Sequence, residues 1–243
     1  SLLNVDQTQF DLSEFVTSSW IPKDVLKERI KDAIYSVQNE IYRKILIRFF
    51  TDYQSEFFDY PAASKNHHNF VGGLATHVVG MLDISENLCR LYPQLNRDLL
   101  ISGVLLHDIG KITVPDEILM KQTTLSTDEW ERIQKHTENG VRLLKDFTVL
   151  PRIKDAVLYH HERYDGNGYV SKLKGEQIPL VARIVCIADS FDAMTSNRYY
   201  RLKFSDDRTI KELERCAGKQ FDPNIVVHMI EMIKDGTVHS LQD

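Results

Sequence analysis

The chain has 243 residues, 42% of them hydrophobic, which is enough for one large or two small domains with a proper core. A formal net charge of −5 argues against a general polyanion-binding surface, so duplex nucleic acid is not an expected partner. Three widely spaced cysteines (Cys89, Cys186, Cys216) indicate neither a disulfide framework nor a thiolate zinc site, no apolar run reaches membrane-spanning length, and no signal peptide is legible at Ser1-Leu2-Leu3-Asn4, so the expected location is the reducing cytoplasm.

In chain order, Pro22 at a first helical position precedes an amphipathic stripe of Val25, Leu26, Ile30, Ala33, Ile34 and Val37. A second helix carries Ile41, Ile45, Leu46, Phe49, Phe50 and Tyr53, and residues 1–60 read as a helical scaffold packed on residues 61–243. Pro61 to Gly73 reads as a loop; His67 and His68 fall in it, either as hydrogen-bonding loop residues or facing a substrate. A helix from about Leu74 to Leu91, stopped by Pro93, places His77 on the face of Leu74, Val78, Met81 and Leu82.

The next helix is apolar nearly all round (Leu99, Leu100, Ile101, Val104, Leu105, Leu106) and is therefore central. It ends in His107-Asp108, then Gly110, which permits a sharp turn, and Lys111. Ser126 to Glu129 fits a capping box opening a helix that runs to His136. Another, from Pro151, ends at Tyr159-His160-His161, and a helix end is where two adjacent histidines can both reach inward. Residues 180–194 form a strongly apolar helix holding Asp189 and Asp192, and two helices, Ser205 to Ala217 and Asp222 to Lys234, close the chain. His228 and His239 read as surface residues. With no convincing run of alternating strand residues, the expected fold is all-α.

A buried carboxylate without a partner costs several kcal/mol, roughly 3–5, so Asp108 and Asp189 each need a cation. Histidines on helix faces or ends (His77, His107, His136, His160, His161) suggest that the cation is a metal. Such a nitrogen-and-oxygen donor set suits Fe or Mn, with Zn a third choice. Asp108, with two oxygens, could bridge two metals about 3.5–4 Å apart, an arrangement that activates a shared water for attack on a phosphoester. The competing reading is a set of unrelated core and loop histidines.

The ordered set His77, His107-Asp108, Lys111, His136, His160-His161 and Asp189 resembles the HD superfamily of metal-dependent phosphohydrolases, implying a helical bundle around a binuclear metal centre. From Ile109 to about Ile233 the text is similar to the HD-GYP family, which hydrolyses cyclic di-GMP. The matching phrases include His107-Asp108-Ile109-Gly110-Lys111-Ile112, His160-His161-Glu162-Arg163, Asp165-Gly166-Asn167-Gly168-Tyr169, Ala188-Asp189-Ser190-Phe191-Asp192-Ala193-Met194-Thr195 and Gln220-Phe221-Asp222-Pro223. Residues 57–111 resemble instead the HD domain of bacterial 3′→5′ exoribonucleases, although no strand-rich RNA-holding segment precedes them.

What the resemblance implies is specific. His77, His107, Asp108 and Asp189 would hold one metal; Asp108, His136, His160 and His161 would hold the other. Lys111 would contact the scissile phosphate, while Arg183, Arg198 and Arg201 are candidates for guanine or phosphate contacts and equally for surface or structural roles. Members with three metals carry a glutamate where this chain has Gly73, so two are implied. Val170 replaces the signature proline after Gly168-Tyr169, which leaves Tyr169 less restricted and implies a looser loop. The expected substrate is a cyclic dinucleotide, with short RNA or non-turnover nucleotide binding as alternatives; a homodimer is left open.

Overall fold

The computed structural model describes residues 19, 21–61, 71–119, 121, 123–145, 151–196 and 203–238. The helices run in the order α1 (Lys23–Ser36), α2 (Glu40–Asp52), α3 (Gln54–Asp59), α4 (Gly73–Leu91), α5 (Arg97–Leu106), a 3-10 turn (Ile109–Thr113), α6 (Asp116–Leu119), α7 (Thr127–Gln134), α8 (His136–Leu143), α9 (Pro151–Tyr159), a 3-10 turn (Gly175–Gln177), α10 (Leu180–Thr195), α11 (Asp206–Cys216) and α12 (Pro223–Lys234). Among the described residues no strand is formed beyond isolated bridges such as Ala217–Phe221, so the all-α expectation holds. None of these helices is long and apolar enough to cross a membrane.

Side-chain chemistry starts and stops the helices where the sequence indicates. Asn39 accepts from the backbone N–H groups of Ile41 and Tyr42, Asn96 from Leu99, and Ser126 and Glu129 form the reciprocal capping box. Asp222 caps α12 through Asn224 N–H, ahead of Pro223. Boundaries differ in three places. Pro22 is the cap of α1 rather than its first residue, the second helix breaks at Tyr53, and the helix from Ser126 breaks at Lys135, so His136 opens α8 instead of closing α7.

One hydrophobic core runs from Leu26 to Val238, so α1 to α3 share it with the rest of the chain. α4, α5 and α10 are buried on nearly every side and form its centre, with α9 packed across α5 and α10. Gly103 makes the α5–α9 crossing possible, because a Cβ there would lie 2.7 Å from that of Ala156. A smaller cluster of Val114, Ile118 and Leu119 sits behind the first 3-10 turn, where the Tyr60 hydroxyl donates to Val114 O at 3.0 Å.

Gly110 has a different role from the one its sequence context suggests. It lies inside the 3-10 turn, and a Cβ there would fall 1.8 Å from the backbone oxygen of His136 and 2.6 Å from Gly140 N. The glycine therefore permits close approach of two backbones. Gly110→Ala should destabilise the fold by at least the 1–3 kcal/mol (about) typical of overpacking and should displace His136, read as a lower urea midpoint together with reduced metal content.

Candidate metal centre

Five elements deliver the polar side chains to one buried point. His77 comes from the second turn of α4, and His107 and Asp108 follow the end of α5. His136 is the first residue of α8, His160 and His161 follow α9, and Asp189 lies on α10. His77 is 1% exposed, His107, His136 and His160 are fully buried, and Asp108 is 2% exposed.

Asp108 stands between two groups of nitrogens. Its Oδ1 lies 3.2 Å from His136 Nε2 and 3.6 Å from His160 Nε2, while its Oδ2 lies 3.3 Å from His107 Nε2 and 3.9 Å from His77 Nε2. His77 Nε2 is also 3.2 Å from Asp189 Oδ1. Two sets of donor atoms, one from Asp108, His136, His160 and His161 and one from His77, His107 and Asp189, each lie within 4.8 Å of one another. The seven residues singled out as ligands are thus brought together, with one oxygen of Asp108 facing each side.

The hydrogen bonds on the far side of each ring fix what the near side can do. Nδ1 of His107 donates to Val104 O at 2.8 Å, that of His136 to Ile133 O at 2.7 Å, and that of His160 to Val157 O at 2.9 Å. A carbonyl only accepts, so these Nδ1 atoms carry the ring protons and each Nε2 of a neutral ring presents a lone pair. His77 Nδ1 is similarly engaged with Asp192 Oδ2 at 2.7 Å. Outward N–H groups on carbonyls or carboxylates are the habitual support of metal-bound histidines.

Electrostatics makes the same demand. Burial, with neighbouring imidazoles adding to it for His161, lowers the pKa of His136, His160 and His161, so these rings are neutral at pH 7. Yet His136 Nε2 and His160 Nε2 are 3.2 Å apart, two lone pairs facing each other. Such an approach is stable only with a cation between or beside them. His107 Nε2 and Asp108 Oδ1 are likewise buried without a hydrogen-bond partner among the described residues. For His77, burial lowers the pKa, but the hydrogen bonds it donates to Asp189 and Asp192 outweigh this and raise it to about 10, so a metal held there would displace the Nε2 proton. Burial pushes Asp108 upward, and Lys111 and His107 more than reverse that, keeping it ionised. The donor set fits metal ions on these grounds.

The other proposed contacts are placed as follows. Lys111, 12% exposed, donates from Nζ to Asp108 Oδ2 at 2.5 Å, at the edge of the cluster. Arg183 is committed within the fold, paired with Asp222 and donating from Nε to Ile178 O at 2.9 Å. Arg198, Arg201, His67, His68 and His239 lie outside the described residues. His228 is a partly exposed residue beside Glu231 and the Tyr92 ring.

Two functional side chains were not assigned from sequence. Asp192 orients His77, and its one-turn spacing from Asp189 was the available signal. Glu162, 1% exposed, accepts from Ser171 N at 2.6 Å and Leu173 N at 3.1 Å. With Tyr169 N donating to His161 O, these bonds fold the Gly168-Tyr169-Val170 loop back onto the histidine pair. Gly168 is required there, because a Cβ would lie 2.4–2.6 Å from the backbone of His161, Glu162 and Arg163. The loop expected to be looser for want of proline is therefore held through Glu162, and the Tyr169 ring lies 4.9 Å from that of His161. His136→Ala should leave the His77, His107 and Asp189 side intact and remove mainly one metal equivalent, as elemental analysis of the reloaded protein would show.

A helical bundle that buries a ring of histidines about a shared aspartate is the arrangement that the resemblance to metal-dependent phosphohydrolases implies. Residues 63–225 match the family model described as HD domain, and the chain belongs to that family. Over 159 residues it is 36% identical to the 3′3′-cGAMP-specific phosphodiesterase 2 of Vibrio cholerae, covering 64% of this chain and 30% of that protein. It is 40% identical over 134 residues to a cyclic di-GMP phosphodiesterase of Thermotoga maritima, covering 54% and 36%. Over 101 residues it is 46% identical to the 3′-5′ exoribonuclease YhaM of a Geobacillus species, covering 42% and 31%. The chain thus spans about a third of the length of these curated relatives. Among solved structures, Bd1817, an HDG"Y"P protein of Bdellovibrio bacteriovorus, superposes with a TM-score of 0.56 at 15% identity, covering 87% of this chain and 70% of that one. A cyclic GMP-AMP-specific phosphodiesterase of V. cholerae gives 0.50 at 19% identity, covering 65% and 44%. At these identities the two structures bear on the fold alone.

Proposed function

We propose that this chain is a cytoplasmic phosphodiesterase domain that hydrolyses a cyclic dinucleotide, cyclic di-GMP foremost, using two divalent transition metals, Fe or Mn before Zn. The observation that carries the reading is the carboxylate of Asp108, with one oxygen toward His136 and His160 and the other toward His107 and His77. Asp108, His136, His160 and His161 would hold one metal, and His77, His107, Asp189 and Asp108 the other, with residues 1–60 as scaffold. Metals bound there would supply a water activated at neutral pH and charge neutralisation for a phosphodiester.

The protein's own groups have separate tasks. Protons held on Nδ1 of His107, His136 and His160 leave the Nε2 atoms of these three rings as electron donors. Asp192 holds the His77 ring in place. The Lys111 ammonium, close enough to reach a phosphate beside Asp108, would stabilise charge on its non-bridging oxygens. Arg198 and Arg201 remain proposed contacts to the rest of the substrate. The loop pinned by Glu162 places Tyr169 as a wall beside His161.

A second reading has its own support. Residues 57–111 resemble the exoribonuclease HD domains, and a relative of that name is 46% identical over 101 residues. Incubating Mn²⁺- or Fe-loaded protein with cyclic di-GMP, 3′3′-cGAMP and short RNA, and following products by chromatography, separates the readings. Cleavage of a cyclic dinucleotide in preference to RNA is expected. Preference for RNA would move the assignment to the second reading, and turnover of none of the three would leave a nucleotide-binding module.

A further inference from the structure

Next to the histidine cluster the molecule opens into a cleft of about 300 Å³ whose wall includes His161, Tyr169 and Asp189. One side is the indole of Trp130, on α7 and 47% exposed. A tryptophan left half in water at the mouth of a polar cleft contributes little to the core; its flat face suits an incoming apolar surface. Around it stand Gln134, Asn167, Ser190 and Gln220, all neutral groups that both donate and accept. Gln220 Nε2 donates to Ser190 Oγ at 3.1 Å, which orients the hydroxyl so that its own hydrogen is left as a donor.

The charged groups lining the cleft outside the metal ligands are already engaged within the fold. Arg163 grips Asp165 with Nη2 at 2.8 Å and Nε at 3.2 Å, and Glu162 accepts its two backbone N–H groups. No ammonium or other guanidinium stands among the described residues lining it. A cleft for a second phosphate would present uncommitted cations. This one presents an aromatic face and neutral amide and hydroxyl groups, the chemistry that receives a flat, uncharged heterocycle. Its volume is at the low end of ligand pockets, about 300–1,000 Å³, which suits one base with its sugar and leaves the rest of a dinucleotide outside.

We propose that this cleft is a nucleobase subsite, with a purine stacked on Trp130 and its edge met by Asn167, Ser190 and Gln220, beside the phosphodiester at the metal centre. The identity of the ligand rests on the phosphodiesterase reading; the neutral, aromatic character of the cleft does not. The subsite also supplies a role for the Gln220-Phe221-Asp222-Pro223 phrase: Asp222 caps α12 and pairs with Arg183, and Gln220 lines the cleft.

The test uses mononucleotides, so that binding is read without turnover. In a Trp20→Phe background Trp130 is the sole tryptophan. Titrating the metal-loaded protein with GMP or AMP should quench its fluorescence saturably, and ribose 5-phosphate should not. Trp130→Ala should weaken binding of both nucleotides about 5–150-fold by calorimetry, the range that loss of one base–aromatic stack gives, and Trp130→Phe should restore most of it. Absence of quenching by either nucleotide, equal quenching by ribose 5-phosphate, or parental GMP affinity in a folded Trp130→Ala protein would overturn the subsite while leaving the phosphodiesterase reading intact. Base-dependent binding in a protein that cleaves no cyclic dinucleotide would uphold the subsite and overturn the substrate reading.

Discussion

Asp108→Ala is expected to strip the protein of both proposed metals while leaving its helices in place. Each oxygen of this carboxylate faces a different group of imidazole nitrogens, so neither side keeps a full donor set without it. Removing even an outer partner of a metal ligand typically costs about 10–100-fold in affinity, and a shared ligand should cost more on both sides. The helices should survive because the core is built from α4, α5, α9 and α10 and does not pass through the carboxylate. Elemental analysis and far-UV circular dichroism on one preparation check both halves. A folded Asp108→Ala protein that retains two metal equivalents would remove the basis of the bridged site.

Lys111→Met separates catalysis from charge balance. In the structure the Lys111 ammonium sits on Asp108 Oδ2, 2.5 Å away, so counter-ion and phosphate contact are both open to it. If it meets the scissile phosphate, its loss should slow kcat about 100–1,000-fold, roughly 2.7–4 kcal/mol, as for other preorganised donors. Metal content should be unchanged, because lysine is not a ligand and bound metals balance Asp108 in its stead. Lys111→Arg should rescue poorly, since a planar fork does not replace a point charge in a position only 12% exposed. A metal-replete Lys111→Met enzyme working at the parent rate would confine Lys111 to balancing Asp108.

Much of the architecture was legible because burial leaves a periodic trace. The stripes in 74–91 and 180–194 correspond to α4 and α10 within a residue, and Ser126 and Glu129 do form their box. Side-chain chemistry named the ligand candidates too: a carboxylate in an apolar run needs a cation wherever the run is packed. Less legible were features set by contacts across the sequence. Gly110 reads as a turn residue until α8 is laid against it, and Glu162 has no assigned role until Ser171 and Leu173 donate to it.

Local pattern by itself determined the helical class, most helix limits, and which histidines and aspartates could serve a metal. The tertiary structure decided the rest: which oxygen of Asp108 faces which imidazoles, which ring nitrogen keeps its proton, that Arg183 is taken up by Asp222, and that Trp130, Asn167, Ser190 and Gln220 border one cleft. The reason is one of range. Periodicity and capping report on neighbours within a turn or two. Ligand geometry, tautomer and ion pairing depend on distances of about 3 Å between segments dozens of residues apart, which are defined only once α4, α5, α8, α9 and α10 have packed.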